Sequence, residues 1–469
     1  MNVPASTFRQ DVRTLFATAA PVVFVQLGLM AMGVVDTILV GRVSAEALGA
    51  VALGNMYFMT TAMLGMGVLF ALDTVVSQAV GAKDPVGVAR GVQRGLVLAV
   101  VMCLPLLPPL VLSRQLFAAL GQPATVVPMA ASYVEWSIPG LFPFFAFIVL
   151  RQSLQAMGKL TPIVFAIVFA NLLNALLCWM FVFGKLGPPP LGAVGAAIAS
   201  TIGRWAMAAF LLAVAWKDLK PALEPYRPEA LERGPLLRMV RLGLPIGFQF
   251  VLEVGVFSLV GIMMGRMSAL ALAGHQVALT LASLTFMVPL GVSVSAAVLV
   301  GRAVGRRDPD GARRAARLSI ATSLTFMALS ALTLLLFPRQ IASLYSNDPA
   351  VIAIAASLIP IAGVFQIFDG LQVTSGGVLR GFGETRSPMF ANLVGYWVLG
   401  FPVSLWLGFK LGLGPRGLWW GFVVGLGAVG IFLVSRVRER LQHVPEPVQI
   451  DLPPGGLPQP EPYAAVEHP

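Results

Sequence analysis

Charge is what this 469-residue chain has least of: 11% of its residues are Asp, Glu, Lys or Arg and 57% are hydrophobic. A soluble domain carries roughly 25% charged residues. The deficit excludes a water-exposed globular surface, because apolar patches of that extent would drive association. Cysteine is scarce as well. Cys103 and Cys178 both fall inside apolar runs without metal-ligand spacing, so neither a zinc site nor a disulfide framework is supported. The sequence contains no GxxxxGK[ST], no HExxH and no nucleophile elbow. ATP-driven transport and the familiar hydrolases are therefore not expected, and no cofactor is implied. A cleavable leader is not expected either: the apolar run after Arg9 and Arg13 is too long for a signal-peptide core and reads as a first spanning helix.

Long hydrophobic runs are what the chain has instead, with a mean hydropathy of +0.84. Stretches of about 20 apolar residues, enough to cross a bilayer, follow one another near 15–40, 46–72, 92–112, 125–150, 162–184 and 190–215. Six more lie near 238–265, 270–300, 315–337, 349–375, 387–410 and 414–435. The expected fold class is an all-α polytopic membrane protein with twelve transmembrane helices. Pro21, Pro143, Pro245, Pro289, Pro360 and Pro402 fall inside these spans. Kinks of that kind are tolerated where neighbouring helices or a watered cavity satisfy the freed carbonyls.

A net charge of +11 is of the kind nucleic-acid binders carry, but the basic residues occupy short loops between apolar runs. One set of loops, together with both termini, carries 24 Lys and Arg; the alternate set carries seven, and Arg204 lies within a helix. Basic loops stay in the cytoplasm, so both termini are expected there, in an inner-membrane protein with no nucleic-acid partner.

The two halves repeat. Gly41-Arg42-Val43-Ser44 returns as Gly265-Arg266-Met267-Ser268, and Pro21 as Pro245, both at an offset of 224. Gly81-Ala82-Lys83-Asp84-Pro85 returns as Gly305-Arg306-Arg307-Asp308-Pro309 at the same offset. Six helices per half in matching orientation give a parallel repeat, an architecture of alternating access with the site between the halves. The expected organisation is a cytoplasmic N-terminus (1–14), an N-lobe (15–215), a polar cytoplasmic linker (216–237), a C-lobe (238–435) and a tail (436–469). The stretch 444–469 holds eight prolines and no apolar periodicity, so the tail is expected to be disordered.

Ionisable groups inside the spans are the informative ones, because each costs roughly 2.5–3.5 kcal/mol at a helix centre. Asp36, Glu253 and Asp369 lie in the first, seventh and tenth helices, with no basic residue within one turn of any of them. The repeat does not carry them: Asp36 corresponds to Val260, and Glu253 to Leu29. They were not needed to build the bundle, which points to ion coupling by proton exchange or cation binding. Asp73, Arg204 and His275 fit packing or interfacial roles as well as functional ones.

In these residues the chain resembles the multidrug and toxic compound extrusion (MATE) family, NorM-like branch, over about residues 15–440. The resemblance rests on Val35-Asp36-Thr37 with Gly41, Ser77-Gln78-Ala79-Val80-Gly81-Ala82 and Gly243-Leu244-Pro245 leading to Glu253-Val254. It rests also on Ala273-Gly274-His275-Gln276-Val277-Ala278-Leu279, on Asp369 followed by Gln372-Val373 and Leu379-Arg380-Gly381, and on Tyr396-Trp397-Val398-Leu399-Gly400. It implies a V-shaped pair of pseudo-symmetric six-helix bundles that exports drugs against H+ or Na+. Asp36 would be the N-lobe coupling carboxylate; Glu253 and Asp369 would form a C-lobe cation site able to take sodium. Candidate substrate-cavity residues are Asn171, Asn174, Phe365, Gln366 and Gln276. Phe365 stands where such proteins often place a tyrosine, so one oxygen ligand is missing and coordination favours protons. Of the family pattern N-x-x-x-N-W, Asn174 and Trp179 remain while Cys178 replaces the second amide; Asn171, one turn earlier, is a candidate to compensate. Small amphipathic cationic drugs or dyes are the expected partners, besides the lipid bilayer, and a monomer is expected. A lipid-linked oligosaccharide flippase would need a basic cavity, whereas the interior charges here are chiefly acidic. An intramembrane transferase would need a His or paired carboxylates near one face.

Overall fold

A computed structural model describes residues 8–186 and 189–451. Among these, twelve helices are long and apolar enough to cross a bilayer. They are α1 (Arg9–Gly41), α2 (Ala45–Gly81), α3 (Pro85–Val111), α4 (Val126–Met157), α5 (Thr161–Phe183) and α6 (Gly192–Val214). The second six are α7 (Arg233–Met267), α8 (Ala269–Gly305), α9 (Pro309–Leu336), α10 (Pro349–Gly381), α11 (Arg386–Lys410) and α12 (Gly414–Gln442). Hydrocarbon offers no hydrogen bonds, so each span satisfies its own backbone as a helix.

The repeated motifs turn out to be helix ends. Ser44 caps α2 by accepting from the Ala47 amide at 3.0 Å, and Ser268 caps α8 from Ala271 at 3.0 Å. Asp84 accepts from Gly87 at 2.9 Å with Pro85 opening α3; Asp308 accepts from Gly311 at 2.8 Å with Pro309 opening α9. Lys83 and Arg307, just before these caps, both have positive φ, 58° and 54°. Such a cap is worth about 1 kcal/mol. The caps also explain why α3 and α9 begin at Pro85 and Pro309, well before the apolar runs at 92 and 315. Hydropathy finds the part of a helix in lipid, not the capped turns beyond it.

Apolar packing has several centres, one chiefly in the first half that takes in Met239 of α7, and one in the second half. Phe58, Val92 and Phe145 belong to one, and Val260, Trp419 and Phe422 to another. The halves approach most closely at glycines. Gly67 on α2 lies against the Gly247 backbone of α7, and its repeat counterpart Gly291 on α8 lies against Val23 of α1. Gly81 abuts the Arg302 carbonyl, and Gly305 abuts the Gln78 carbonyl; a methyl group at either would overlap that oxygen. The positions pair through the 224-residue offset, so the seam follows the pseudo-twofold axis. These contacts lie in the parts of α1, α2, α7 and α8 nearer the face that carries the termini.

Two stretches depart from expectation. The linker expected at 216–237 contains a helix at Trp216–Leu223 and a short 3-10 turn at Pro228–Leu231 before α7 starts at Arg233. The tail expected to be disordered from 436 is helical to Gln442, because Arg436 and Arg440 bond to Glu384 and hold that end of α12. Residues 443–451 then run non-helically and dock by Val448 and Ile450. The remainder of the expected tail, 452–469, and residues 1–7 of the expected N-terminus lie outside the described residues.

Candidate functional site

Asp36 lies near the far end of α1, about five residues from Gly41, and three side chains converge on it. The Asn174 amide donates to its carboxylate at 2.6 Å and the Cys178 thiol at 3.0 Å, both from α5; the Ser200 hydroxyl of α6 donates at 3.3 Å. Asn174 and Cys178 are one turn apart on α5 and therefore share a face. Arg204, one turn beyond Ser200, contributes its charge to the same pocket. Its guanidinium sits 4.3 Å from the Phe58 ring centre and 5.5 Å from that of Phe144, an arrangement that favours a cation in an apolar setting. Asp36 is thus not isolated from basic residues. The cation comes from another helix, which inspection of neighbours along α1 could not reveal.

Glu253 on α7 and Asp369 on α10 lie close enough to act electrostatically on one another. Gln372, nearly a turn beyond Asp369, reaches Glu253. The buried Tyr396 hydroxyl of α11 donates to Gln372 Oε1 at 3.1 Å, and Gln372 Nε2 donates to Asn392 Oδ1 at 3.3 Å. Tyr396 also lies within the field of both carboxylates. Its helix is locally π-wound over Leu393–Gly400, a local rearrangement often found at functional sites. A second polar cluster, of Glu253, Asp369, Gln372, Asn392 and Tyr396, therefore occupies the other lobe.

The remaining candidates separate from these clusters. Phe365 is 2% exposed and packs edge-on against Phe257 and Trp419. It belongs to the aromatic core rather than to a cavity wall, and the phenol that lies within the field of both carboxylates is that of Tyr396 on α11. Gln366 is fully buried and accepts from Ser330 at 2.9 Å, which joins α10 to α9. Asn171 donates to Gly28 O at 3.0 Å and Ile167 O at 2.9 Å. It ties α5 to α1 and does not replace the missing second amide. Gln276 is exposed on α8. Asp73 is fully buried near the seam, where Arg380 of the second half and Arg151 of the first exert their charges on it. His275 is buried with its ring 5.8 Å from that of Trp419.

Sequence reasoning missed Ser200, Arg204 as a neighbour of Asp36, Asn392 and the role of Tyr396. Tyr396 had a signal: it is one of only six tyrosines and falls mid-span, where a phenol must find a partner.

With this geometry established, the comparisons with known proteins are specific. The sequence matches the MatE family over residues 21–180 and 245–406. It is 36% identical over 441 residues to multidrug resistance protein NorM of Burkholderia vietnamiensis, covering 92% of this chain and 95% of the relative. It is 33% identical over 447 residues to probable multidrug resistance protein NorM of Mesorhizobium japonicum, covering 93% and 95%. The fold is that of the crystal structure of the eukaryotic MATE transporter AtDTX14, with a TM-score of 0.83, 24% identity and coverage of 92% and 99%. The chain therefore belongs to the MatE family, whose members are membrane transporters and not enzymes.

Proposed function

We propose that this protein is a secondary active multidrug exporter that exchanges amphipathic organic cations for H+ by alternating access. It would sit in the inner membrane with both termini in the cytoplasm, in keeping with the 24-to-seven bias of basic residues. The observation that carries the reading is the pair of acidic clusters, one in each arm of a V, around Asp36 and around Glu253 with Asp369. Carboxylates withdrawn from water attract hydrophobic cations and exchange small ones. The relatives' names, multidrug resistance protein NorM, support the drug substrate class.

Asp36 suits proton exchange because its partners adapt. The Ser200 hydroxyl can turn from donor to acceptor, and Asn174 Oδ1 is buried without a hydrogen bond, so an amide flip would present an acceptor to a protonated Asp36. Sodium is the second reading, and Tyr396 favours it. Sodium needs five or six oxygens, and its phenol returns to the Glu253–Asp369 cluster an oxygen that Phe365 does not provide.

The test is dye efflux from proteoliposomes under separately imposed gradients. A pH gradient alone should drive export of an ethidium-like cation and should not drive an isosteric anion. Robust export at clamped pH under a sodium gradient alone, lost in Glu253→Gln, would overturn the proton assignment. Equal transport of cation and anion would overturn the substrate class.

A further inference from the structure

The segment that follows α12 crosses from one half of the molecule to the other. It is anchored at its start in the second half, where Arg313 of α9 donates to Leu441 O at 2.8 Å and to Gln442 O at 3.4 Å. Its far end reaches the first half, although the Ile450 carbonyl still accepts from Arg238 Nε of α7 in the second half at 2.7 Å. Ile450 is 7% exposed and packs in the apolar cluster that contains Val88 and Val92 of α3. Asp451 pairs with Arg94 at 2.5 Å and with Arg90 at 3.3 Å, both on α3. Between the ends, the Val448 amide donates to Gln78 Oε1 at 2.7 Å, and the Val448 side chain rests on Gly383.

Two of these partners bear on the seam. Gln78 presents its backbone carbonyl to Gly305, and its amide nitrogen donates to Gly381 O of the second half at 3.0 Å. The segment therefore holds a residue already at the closed joint. Arg94 is 1% exposed, and Asp451 is the carboxylate that pairs with it. An almost fully buried guanidinium is expensive without a counter-ion. The repeat shows the same logic in another form. Arg314, the counterpart of Arg90, pairs with Asp11 of α1 at 3.3 Å, an ion pair that again crosses between the halves. The counterpart of Asp11 is Pro235, which has no carboxylate. The acid that α7 cannot supply to α3 arrives from residue 451 instead.

We propose that residues 443–451 form a latch that fastens the closed seam at the face carrying the termini, with the clasp of Asp451 on Arg90 and Arg94 as its releasable end. Opening of that face separates the anchors on α9 and α3, so the strap must leave one of them. The clasp is the end that can let go, since Leu441 and Gln442 are built into the last turn of α12 whereas Asp451 holds on by a side chain that is 37% accessible. The latch biases the transporter toward the state closed at this face and does so whichever ion drives the cycle, so its failure would leave the exporter reading untouched.

Hydrogen exchange of the full-length protein in nanodiscs, read by mass spectrometry, tests this. The informative segment is 300–308, which forms the far side of the seam without holding the strap. Asp451→Asn, which keeps the side-chain volume, should speed exchange at 300–308 by about two- to fivefold, the range commanded by a partly exposed ion pair. Asp451→Glu should stay near the parent rate, and α5 should be unchanged in both. An Asp451→Asn variant that exchanges faster only at 78–94 would make the segment a local cover, and one unchanged everywhere would make it a passive tail. Faster exchange throughout, α5 included, would signify general destabilisation. Each of these three results overturns the latch.

Discussion

Three donors hold Asp36, and they fix what a substitution there should do. In Asp36→Asn the volume is kept and the amide can bond to Ser200 and to a flipped Asn174, so folding should survive. Gradient-driven efflux should fall by about tenfold or more, because no titrating group remains at the centre of that cluster. Transport by the purified variant at the parent rate would make Asp36 structural. Tyr396→Phe separates the two coupling ions. It leaves Gln372 Oε1 without its hydroxyl donor, a loss of about 1–3 kcal/mol for a buried acceptor. It should also weaken any sodium-driven component several-fold while leaving proton-driven efflux intact; equal loss of both would remove the phenol from cation selection. At this scale the carboxylates were legible in the sequence, since a lone acid in an apolar run is conspicuous. Their surroundings were not. Ser200 and Arg204 lie more than 160 residues from Asp36, and Tyr396 reaches its cluster from a π-wound turn that hydropathy does not reveal.

The turn between α10 and α11 shows how a helix end is secured by charge. Burial pushes the Glu384 carboxyl up, but hydrogen bonds from Arg436, Ser387 and Arg440 outweigh it and hold the group below the ordinary glutamate range. The stabilisation is therefore complete above the usual value of 4.5 and fades as pH falls through the lower folded value. Thermal unfolding of Glu384→Gln should lie clearly below the parent at pH 7, with the gap constant down to about pH 4.5 and closing only below it, as pH falls through the lower folded value; a gap that never closes would mean the arginines act through packing alone. Element positions were readable from hydropathy and the repeat, but the caps at Asp84 and Asp308 were not, because the capped turns lie outside the apolar runs. The docked strap was not. Proline-rich composition signals disorder, yet Val448 and Ile450 alternate as an extended segment with one buried face does.

Across the whole molecule, closure depends on places where two backbones touch. Gly81→Val or Gly305→Val should force the halves apart near the termini, at a cost of about 1–3 kcal/mol for overpacking. Efflux should fall while drug binding to the opened protein persists; unchanged transport in both variants would show that the seam does not close during the cycle. The symmetry of this seam is not matched by the chemistry it governs. Val23, Gly67, Gln78 and Gly81 each have a counterpart that performs the same contact, whereas Asp36, Glu253 and Asp369 correspond to Val260, Leu29 and Phe145. The molecule is in effect a balance with equal arms and unequal weights. Changing a weight should alter which cargo tips the beam and how strongly, without altering how far the arms swing. Changing the fulcrum should shorten the swing for every cargo alike.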